Sequence, residues 1–361
     1  MTLSSLGWDD FFANHFRPHA TGSLVPARVA LEHKHAYELY SALGELTAVC
    51  TGKLLHTADA REALPAVGDW VAVCPRPGEA HADIHAVLPR KTKFSRRAAG
   101  DAGGEQILAA NVDTVFLVTG LDANYNLRRI ERYLAVAWES GAQPVVVLNK
   151  ADLHDDPAAV QAEVESVAIG APVLTLSAAS GYGLDELAPW LAPGSTVALL
   201  GSSGVGKSTL INRLLGTAHQ PTSATSAERD LGRHTTTRRE LLVTPGGALV
   251  IDTPGMRELQ FWDIAAGTLD ETFADIAALA ARCRFGDCTH RAEPGCAIQA
   301  ALADGALDLR RWQSFQKLQR EQAYAARKAD PRLARENKAA WKKIHQAARA
   351  HSRAKGRADY P

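Results

Sequence analysis

Residues 201–209 read Gly-Ser-Ser-Gly-Val-Gly-Lys-Ser-Thr. The spacing fits G-x-x-x-x-G-K-[ST]; an apolar run, TVALL, precedes it and a helical pattern, STLINRLLG, follows. That chemistry is phosphate binding. The backbone N–H groups of Gly201, Ser202, Ser203, Gly204, Val205 and Gly206 can turn inward around phosphate oxygens. They do so at a helix N-terminus, where the peptide dipoles favour negative charge. Lys207 is placed to reach β- and γ-phosphates, and the Ser208 hydroxyl to ligate Mg²⁺, with Thr209 opening the helix beside them. Such a loop alone does not choose between adenine and guanine.

Four further stretches bear on that choice. Asp252-Thr253-Pro254-Gly255 ends an apolar run; Asp252 can hold Mg²⁺ through water, and the Gly255 N–H can meet a γ-phosphate. Between the two lies GRHTTT (232–237), where one threonine can close onto the metal; Thr236 is favoured, with Thr235 the alternative. Upstream, VLNKADL contains Asn149-Lys150-Ala151-Asp152. The Asp152 carboxylate can accept from the ring N–H and exocyclic amine of guanine, a pairing adenine does not offer. Lys150 can lay its stem along the base, Ala151 fills the variable position, and Asn149 can brace a neighbouring loop. Ser177-Ala178 would bring a backbone N–H to the guanine oxygen. N-K-x-D alone is a common surface turn. Five such elements, each at the end of a strand pattern, lie where an open α/β sheet binds ligands.

The hydrolytic step lacks one usual part. A Gln that orients the attacking water often follows D-x-x-G, and here that position is Met256, whose thioether cannot do so. His234 is the internal candidate for positioning water, which predicts slow unaided hydrolysis.

A second constellation lies downstream. Cys283, Cys288, His290 and Cys296 offer three thiolates and an imidazole within fourteen residues, a tetrahedral set suited to zinc. Four protein ligands leave no open position, so a structural ion is expected. The chain has five cysteines, an odd number with three clustered, which favours metal over disulfides.

The elements that must position these groups follow from the pattern. The 361 residues suggest two or three domains. Residues 1–26 carry Trp8, Phe11, Phe12 and Phe16 and read as a loosely held lead segment. From 27 to 100, ARVALEH, YELYSA, ELTAVCTGKLL, DWVAVCP and DIHAVLP predict short strands of a small β-barrel of the OB kind. This region ends in RKTKFSRRAAG (90–100), read as a solvated linker or an RNA contact around Phe94. From 101 to 262 strands and helices alternate as in a mostly parallel doubly wound sheet. Asn126 and Gly141 are the expected caps of the helix between them. From 263 to 361 the pattern is helical, with Trp312, Phe315 and Leu318 on one face and a basic tail.

That tail holds eleven Lys or Arg and three Asp or Glu from 327 to 361, a net of +8 inside a chain whose formal charge is zero. Trp341-Lys342-Lys343 and Arg349 to Arg357 suit phosphate contacts, or equally a solvated helix. No apolar run is long enough to span a membrane, and no secretory pattern opens the chain, so a cytoplasmic monomer is expected.

The order NKAD, SA, P-loop, GRHTTT, DTPG is a cyclic shift of the usual GTPase order. With AVGDWV, LPRKTKFSR, ANVDTVFLV, LRRIERYL, GSSGVGKSTLIN and DTPGMREL, the chain resembles the circularly permuted ribosome small subunit-dependent GTPase A family over nearly all its length. The resemblance implies a multidomain fold: an N-terminal OB-fold β-barrel, a permuted α/β P-loop GTPase domain and a mostly α zinc-binding domain. It also implies zinc on the four Cys/His positions, Mg²⁺ with GTP on Ser208, Thr236 and Asp252, and binding to the small ribosomal subunit and its rRNA. GTP hydrolysis would be stimulated by that subunit during late maturation. The competing readings are a GTPase acting on another RNA and a nucleotide-gated RNA-binding scaffold with negligible turnover. The closed metal set disfavours a zinc hydrolase.

Overall fold

The computed structural model describes residues 1–20, 22–58, 60–97, 105–123, 125–217, 239–252, 268–291 and 293–329. His234, Thr235, Thr236, Gly255, Met256 and the tail from 330 lie outside the described residues.

The lead segment holds α1 (Asp10–Phe16), capped by the Asp9 carboxylate, which accepts from the Phe11 and Phe12 N–H groups. It is not loosely held, because Leu6, Phe12 and Phe16 are buried in the largest core cluster. The Trp8 ring meets Trp70 edge-on at 4.6 Å. An aromatic-rich segment of this length loses too much by staying in water.

β1 (Val25–Glu32), β2 (Tyr37–Ser41), β3 (Gly44–Cys50), β4 (Trp70–Pro75) and β5 (His81–Val87) form a barrel in the order β1-β2-β3-β5-β4, closed by β4 pairing back to β1. All these pairings are antiparallel except β3 with β5. Alternate residues fill the interior: Ala27 and Val29, Leu46 and Ala48, Val71 and Val73, Ala82 and Ile84. GKLL, expected to extend the third strand, instead opens α2 (Gly52–Thr57), capped by the Thr51 hydroxyl. A side-chain acceptor at an N-cap outweighs the β-pattern of two leucines. Cys50 and Cys74 of this barrel are half-buried.

The basic run after β5 is a hairpin, β6 (Lys93–Arg97) with β7 (Glu105–Ala110). Phe94 is 1% exposed and joins the main core, so it is not available to stack on a base. Arg90 donates to both oxygens of the fully buried Asp69 and to the Glu62 and Leu64 carbonyls.

β8 (Thr114–Gly120), α3 (Leu127–Ser140), β9 (Gln143–Asn149), α4 (Pro157–Glu165), β10 (Val173–Thr175), β11 (Thr196–Leu200), α5 (Lys207–Leu215), β12 (Glu240–Val243) and β13 (Leu249–Asp252) make the α/β unit. Its strands lie in the order β10-β9-β8-β11-β13-β12, parallel throughout except β12. The chain lays down β8, β9 and β10 toward one edge before returning to the centre with β11, the strand that feeds the phosphate loop. Each strand is apolar on both faces. Val115 and Leu117 point into one cluster with Ile130 and Leu134 of α3; Phe116 and Val118 point into another with Leu210 and Ile211 of α5. That is the pattern of a sheet covered on both sides. Asn126 and Gly141 cap α3 as expected.

α6 (Thr268–Thr272), α7 (Ala274–Ala280), α8 (Ala297–Asp304) and α9 (Leu309–Ala329) follow. Trp312, Phe315 and Leu318 are buried among Phe273, Ile276 and Ile298, as their spacing predicts.

One side chain joins the first three parts. Arg28 of β1 is 2% exposed and donates to the carbonyls of Leu6, Gly68 and Asn111, while lying over the Trp70 ring. Burial pulls its pKa down to about 10, with Asp113 and Asp69 opposing, so it stays charged at neutral pH. Arg28→Met should lower unfolding free energy by about 3 kcal/mol, because three buried carbonyls lose their donor. Urea or thermal unfolding reads this; an unchanged midpoint would show that water replaces the guanidinium freely.

Candidate nucleotide site and metal centre

Of the predicted nucleotide elements, NKAD, the SA turn, the phosphate loop and Asp252 lie at the carboxyl ends of β9, β10, β11 and β13. Gly201 directly follows β11. It is a glycine because β8 crosses closely: a Cβ there would sit 2.3 Å from the Val118 carbonyl oxygen. The loop turns over the buried Val205 and enters α5 through Gly206, whose φ is +98°.

Asn149 ends β9 and is 2% exposed. Its Nδ2 donates to the Val205 carbonyl at 2.8 Å, and its Oδ1 accepts from the Ala178 N–H at 2.9 Å. One amide therefore joins the NKAD turn, the phosphate loop and the SA turn. Lys150 follows in a left-handed conformation, φ +67°, and its Nζ lies 2.6 Å from Asp122 Oδ2. Ala151 is buried, and Asp152 stands exposed on the short 3-10 turn Ala151–Leu153.

The SA turn, Ser177-Ala178, follows β10 and packs against the NKAD turn. The Ser177 N–H donates to the Tyr182 carbonyl and the Ala178 N–H to Asn149 Oδ1. Arg213 of α5 fixes this turn, its Nε donating to the Ala178 carbonyl at 2.9 Å and its Nη2 to that of Ala179.

On the phosphate side, the Lys207 ammonium folds back on its own loop, 2.6 Å from each of the Gly201 and Ser202 carbonyl oxygens. Ser202 Oγ accepts from Arg129 Nη1 at 2.7 Å. Ser203 and Gly204 are exposed, and Ser208 and Thr209 partly so, at the start of α5. Asp252 closes β13 beside them in the sheet, next to β11.

Sequence reasoning missed Asp122, Arg129 and Arg213. Asp122 had a signal, since it stands two residues beyond a strand end on the ligand-binding edge. The two arginines sit in ordinary amphipathic helices, and only the packing of those helices reveals their contacts.

The four metal-type residues also converge. Their ligand atoms all lie within 4.8 Å of one another. Cys283 Sγ and Cys296 Sγ are each 3.5 Å from His290 Nδ1, and 3.9 Å from one another. Tetrahedral zinc with Zn–S of about 2.3 Å and Zn–N of about 2.0 Å needs S···S of about 3.8 Å and S···N of about 3.5 Å. The donor set therefore fits a four-coordinate metal ion. Its loop is held independently. Glu293 accepts from the Thr289 and Arg291 N–H groups, and its carboxyl is held down to about 2 by the Thr289 hydroxyl and the Arg291 N–H. Gln299 of α8 donates to the His290 carbonyl at 2.7 Å.

Around α3, charged pairs tie the sheet unit to the helical segment. Arg311 of α9 donates to Glu131 at 2.9 Å and to both oxygens of Asp275, and lies 4.8 Å over the Phe273 ring. Burial pushes the Glu131 carboxyl up, against the pull of Ser314 and Arg311.

Gly206→Ala tests the Asn149 bridge without any ligand. The added Cβ would fall 2.2 Å from Asn149 Nδ2 in a backbone region that L side chains avoid. A loss of about 2–3 kcal/mol is expected, from strain and a broken buried hydrogen bond. An undiminished unfolding midpoint would mean that the bridge does not set the loop.

The comparisons agree with this geometry. Residues 87–262 match the model of the RsgA GTPase family. A relative from Opitutus terrae, named small ribosomal subunit biogenesis GTPase RsgA, is 65% identical over 99% of this chain and 100% of its own. One of the same name from Syntrophotalea carbinolica is 49% identical over 90% and 91%. Among solved structures, YjeQ from Thermotoga maritima superposes with a TM-score of 0.62 at 28% identity, covering 83% of this chain and 98% of that one. YloQ, described as a circularly permuted GTPase, gives 0.60 at 24%, covering 84% and 96%, a likeness of fold. With its strand order, its loops and relatives that span its whole length, this chain belongs to the RsgA family of small ribosomal subunit biogenesis GTPases.

Proposed function

We propose that the chain binds GTP at the strand-end site, hydrolyses it to GDP and phosphate, and does so in response to the small ribosomal subunit during its assembly. The observation that carries the reading is the Asn149 bridge. It couples the loop that would read guanine to the loop that would hold phosphates.

In this mechanism the N–H groups of 201–209 cradle the phosphates. Lys207 leaves the Gly201 and Ser202 carbonyls, already 2.6 Å away, for the β- and γ-phosphate oxygens. Asp152 accepts from the guanine ring and amine, Lys150 lies along the base with its charge held by Asp122, and a backbone N–H of the Ser177-Ala178 turn takes the guanine oxygen. Ser208 and Asp252, with Thr236, would hold Mg²⁺, which would supply positive charge to offset the charge developing on the phosphates. Gly255 would donate to the γ-phosphate and His234 would orient water. With Met256 where Gln often stands, unaided turnover is slow, and docking on the subunit completes the geometry.

The remaining assignments belong to the same reading. The barrel closes through β4 on β1 with a helix between its third and fourth strands, which supports an OB-type module contacting rRNA. The functional division is 1–26 extension, 27–100 OB module, 101–262 permuted GTPase and 263–361 zinc-binding helical module with the basic tail. The metal is zinc, structural because all four positions come from protein. The protein acts as a cytoplasmic monomer; among the described residues no helix is long and apolar enough to cross a membrane.

GTP turnover measured alone, with small subunits, with large subunits and with tRNA tests the reading. Stimulation by small subunits only is expected; stimulation by none would leave a nucleotide-gated scaffold. For the metal, about one zinc per chain is expected from elemental analysis of protein purified without added metal. Cys288→Ser should weaken zinc retention at least about tenfold and lower the melting temperature while GTP binding persists. A metal-free wild-type chain that is equally stable would exclude a structural ion.

A further inference from the structure

α3 has two working faces. Arg129 and Tyr133, one helical turn apart, meet Ser202 of the phosphate loop: Arg129 Nη1 at 2.7 Å from Ser202 Oγ, and the Tyr133 hydroxyl at 3.5 Å. The Asn126 cap sets the first turn, its Oδ1 accepting from the Arg129 N–H at 3.1 Å. The neighbouring face carries Arg128, Glu131 and Arg132. Arg128 donates to Gln313, Arg132 to Glu321, and Glu131, 2% exposed, accepts from Arg311. Arg311 is itself 7% exposed and is shared with Asp275.

These contacts have different strengths. The Glu131–Arg311 pair is buried and hydrogen-bonded, with the partly exposed Asp275 on the other side of the guanidinium, so separating Glu131 from Arg311 would strand charge in the interior. It fixes α3 against α9 firmly. The Arg129–Ser202 bond is a charge-assisted contact to a loop hydroxyl, at a position where no backbone ladder holds the chain. A helix rigidly docked on one side and bonded to a phosphate loop on the other passes its pose to that loop.

We infer that Arg129 is a positioning residue for GTP hydrolysis, holding Ser202 so that the shape of the phosphate loop depends on how the helical segment after residue 268 seats α3. Arg129 acts through Ser202 rather than on the reacting atoms. A shift in α9 therefore reaches the phosphate loop through one helix. The inference rests on the GTPase reading of the loop, which wild-type turnover tests by itself.

The experiment is steady-state GTP hydrolysis by the full chain with small subunits present, for wild type, Arg129→Ala, Arg129→Lys, Ser202→Ala and the double Arg129→Ala/Ser202→Ala. Wild-type turnover must be measurable; its absence would sink the GTPase reading and not this one. Arg129→Ala should lower kcat about tenfold with little change in KM, since a misplaced loop harms the transition state more than binding. Ser202→Ala should match it, the double should be no worse than either single, and Arg129→Lys should recover part of the loss. Unchanged kcat in Arg129→Ala, or losses that multiply in the double, would overturn the proposal. The second arm is Glu131→Gln, with Arg132→Ala at the half-exposed Glu321 pair as the alternative should the first not fold. Either should lower kcat in the wild-type background and leave the Arg129→Ala background where it is. An equal further loss there would break the link from α9 to Ser202.

Discussion

The guanidinium of Arg28 is the point on which the arrangement turns. It is a full charge placed where water does not reach, and it is tolerable there because three carbonyls and an aromatic face surround it. Those carbonyls belong to the lead segment, the turn before β4 and the turn after β7. None of the three can move away without leaving the charge uncompensated. The lead segment, barrel and hairpin are therefore one body with the near face of the α/β sheet, and each gives apolar residues to one shared cluster, while the barrel interior keeps its own. Asp69 and Arg90 repeat the device beside it, with a buried carboxylate accepting a two-pronged guanidinium.

On that body the permuted order becomes a simple matter of wiring. The strand order of the sheet is indifferent to where the chain begins, because the nucleotide site is built from strand ends and not from their sequence order. What the site does require is that ends far apart in the chain be pinned together. Asn149 reaches residues 29 and 56 positions onward, Arg213 reaches 35 and 34 back, and Asp122 meets Lys150 across 28. Placing DTPG late leaves the helical segment close behind it in sequence, while α3, from the early part of the unit, receives that segment's docking charges.

Much of this could be read from residue types. The strands of the sheet unit, the α3 caps, the phosphate loop, NKAD and the Cys/His cluster all rest on local patterns, and local patterns survive folding. What could not be read depended on distant partners. Phe94 sits in a run of lysines and arginines and is nonetheless core, because β6 turns it inward against residues unknown to its neighbours. The lead segment looked loose for want of a repeating pattern, although its aromatics have Trp70 waiting. GKLL became helix through a single hydroxyl cap.

The register of β12 carries a final consequence. Glu240 stands opposite Asp252 on one side and opposite Leu31 of the barrel on the other. β12 is thus a seam by which barrel and α/β unit share one sheet of eleven strands. Because side chains alternate with period two, a slip of one residue along that seam would turn Leu241 out of the core and Glu240 into it. A shift that kept the alternation would have to cover two residues, about 6.8 Å, so the shared sheet holds barrel and α/β unit in one register.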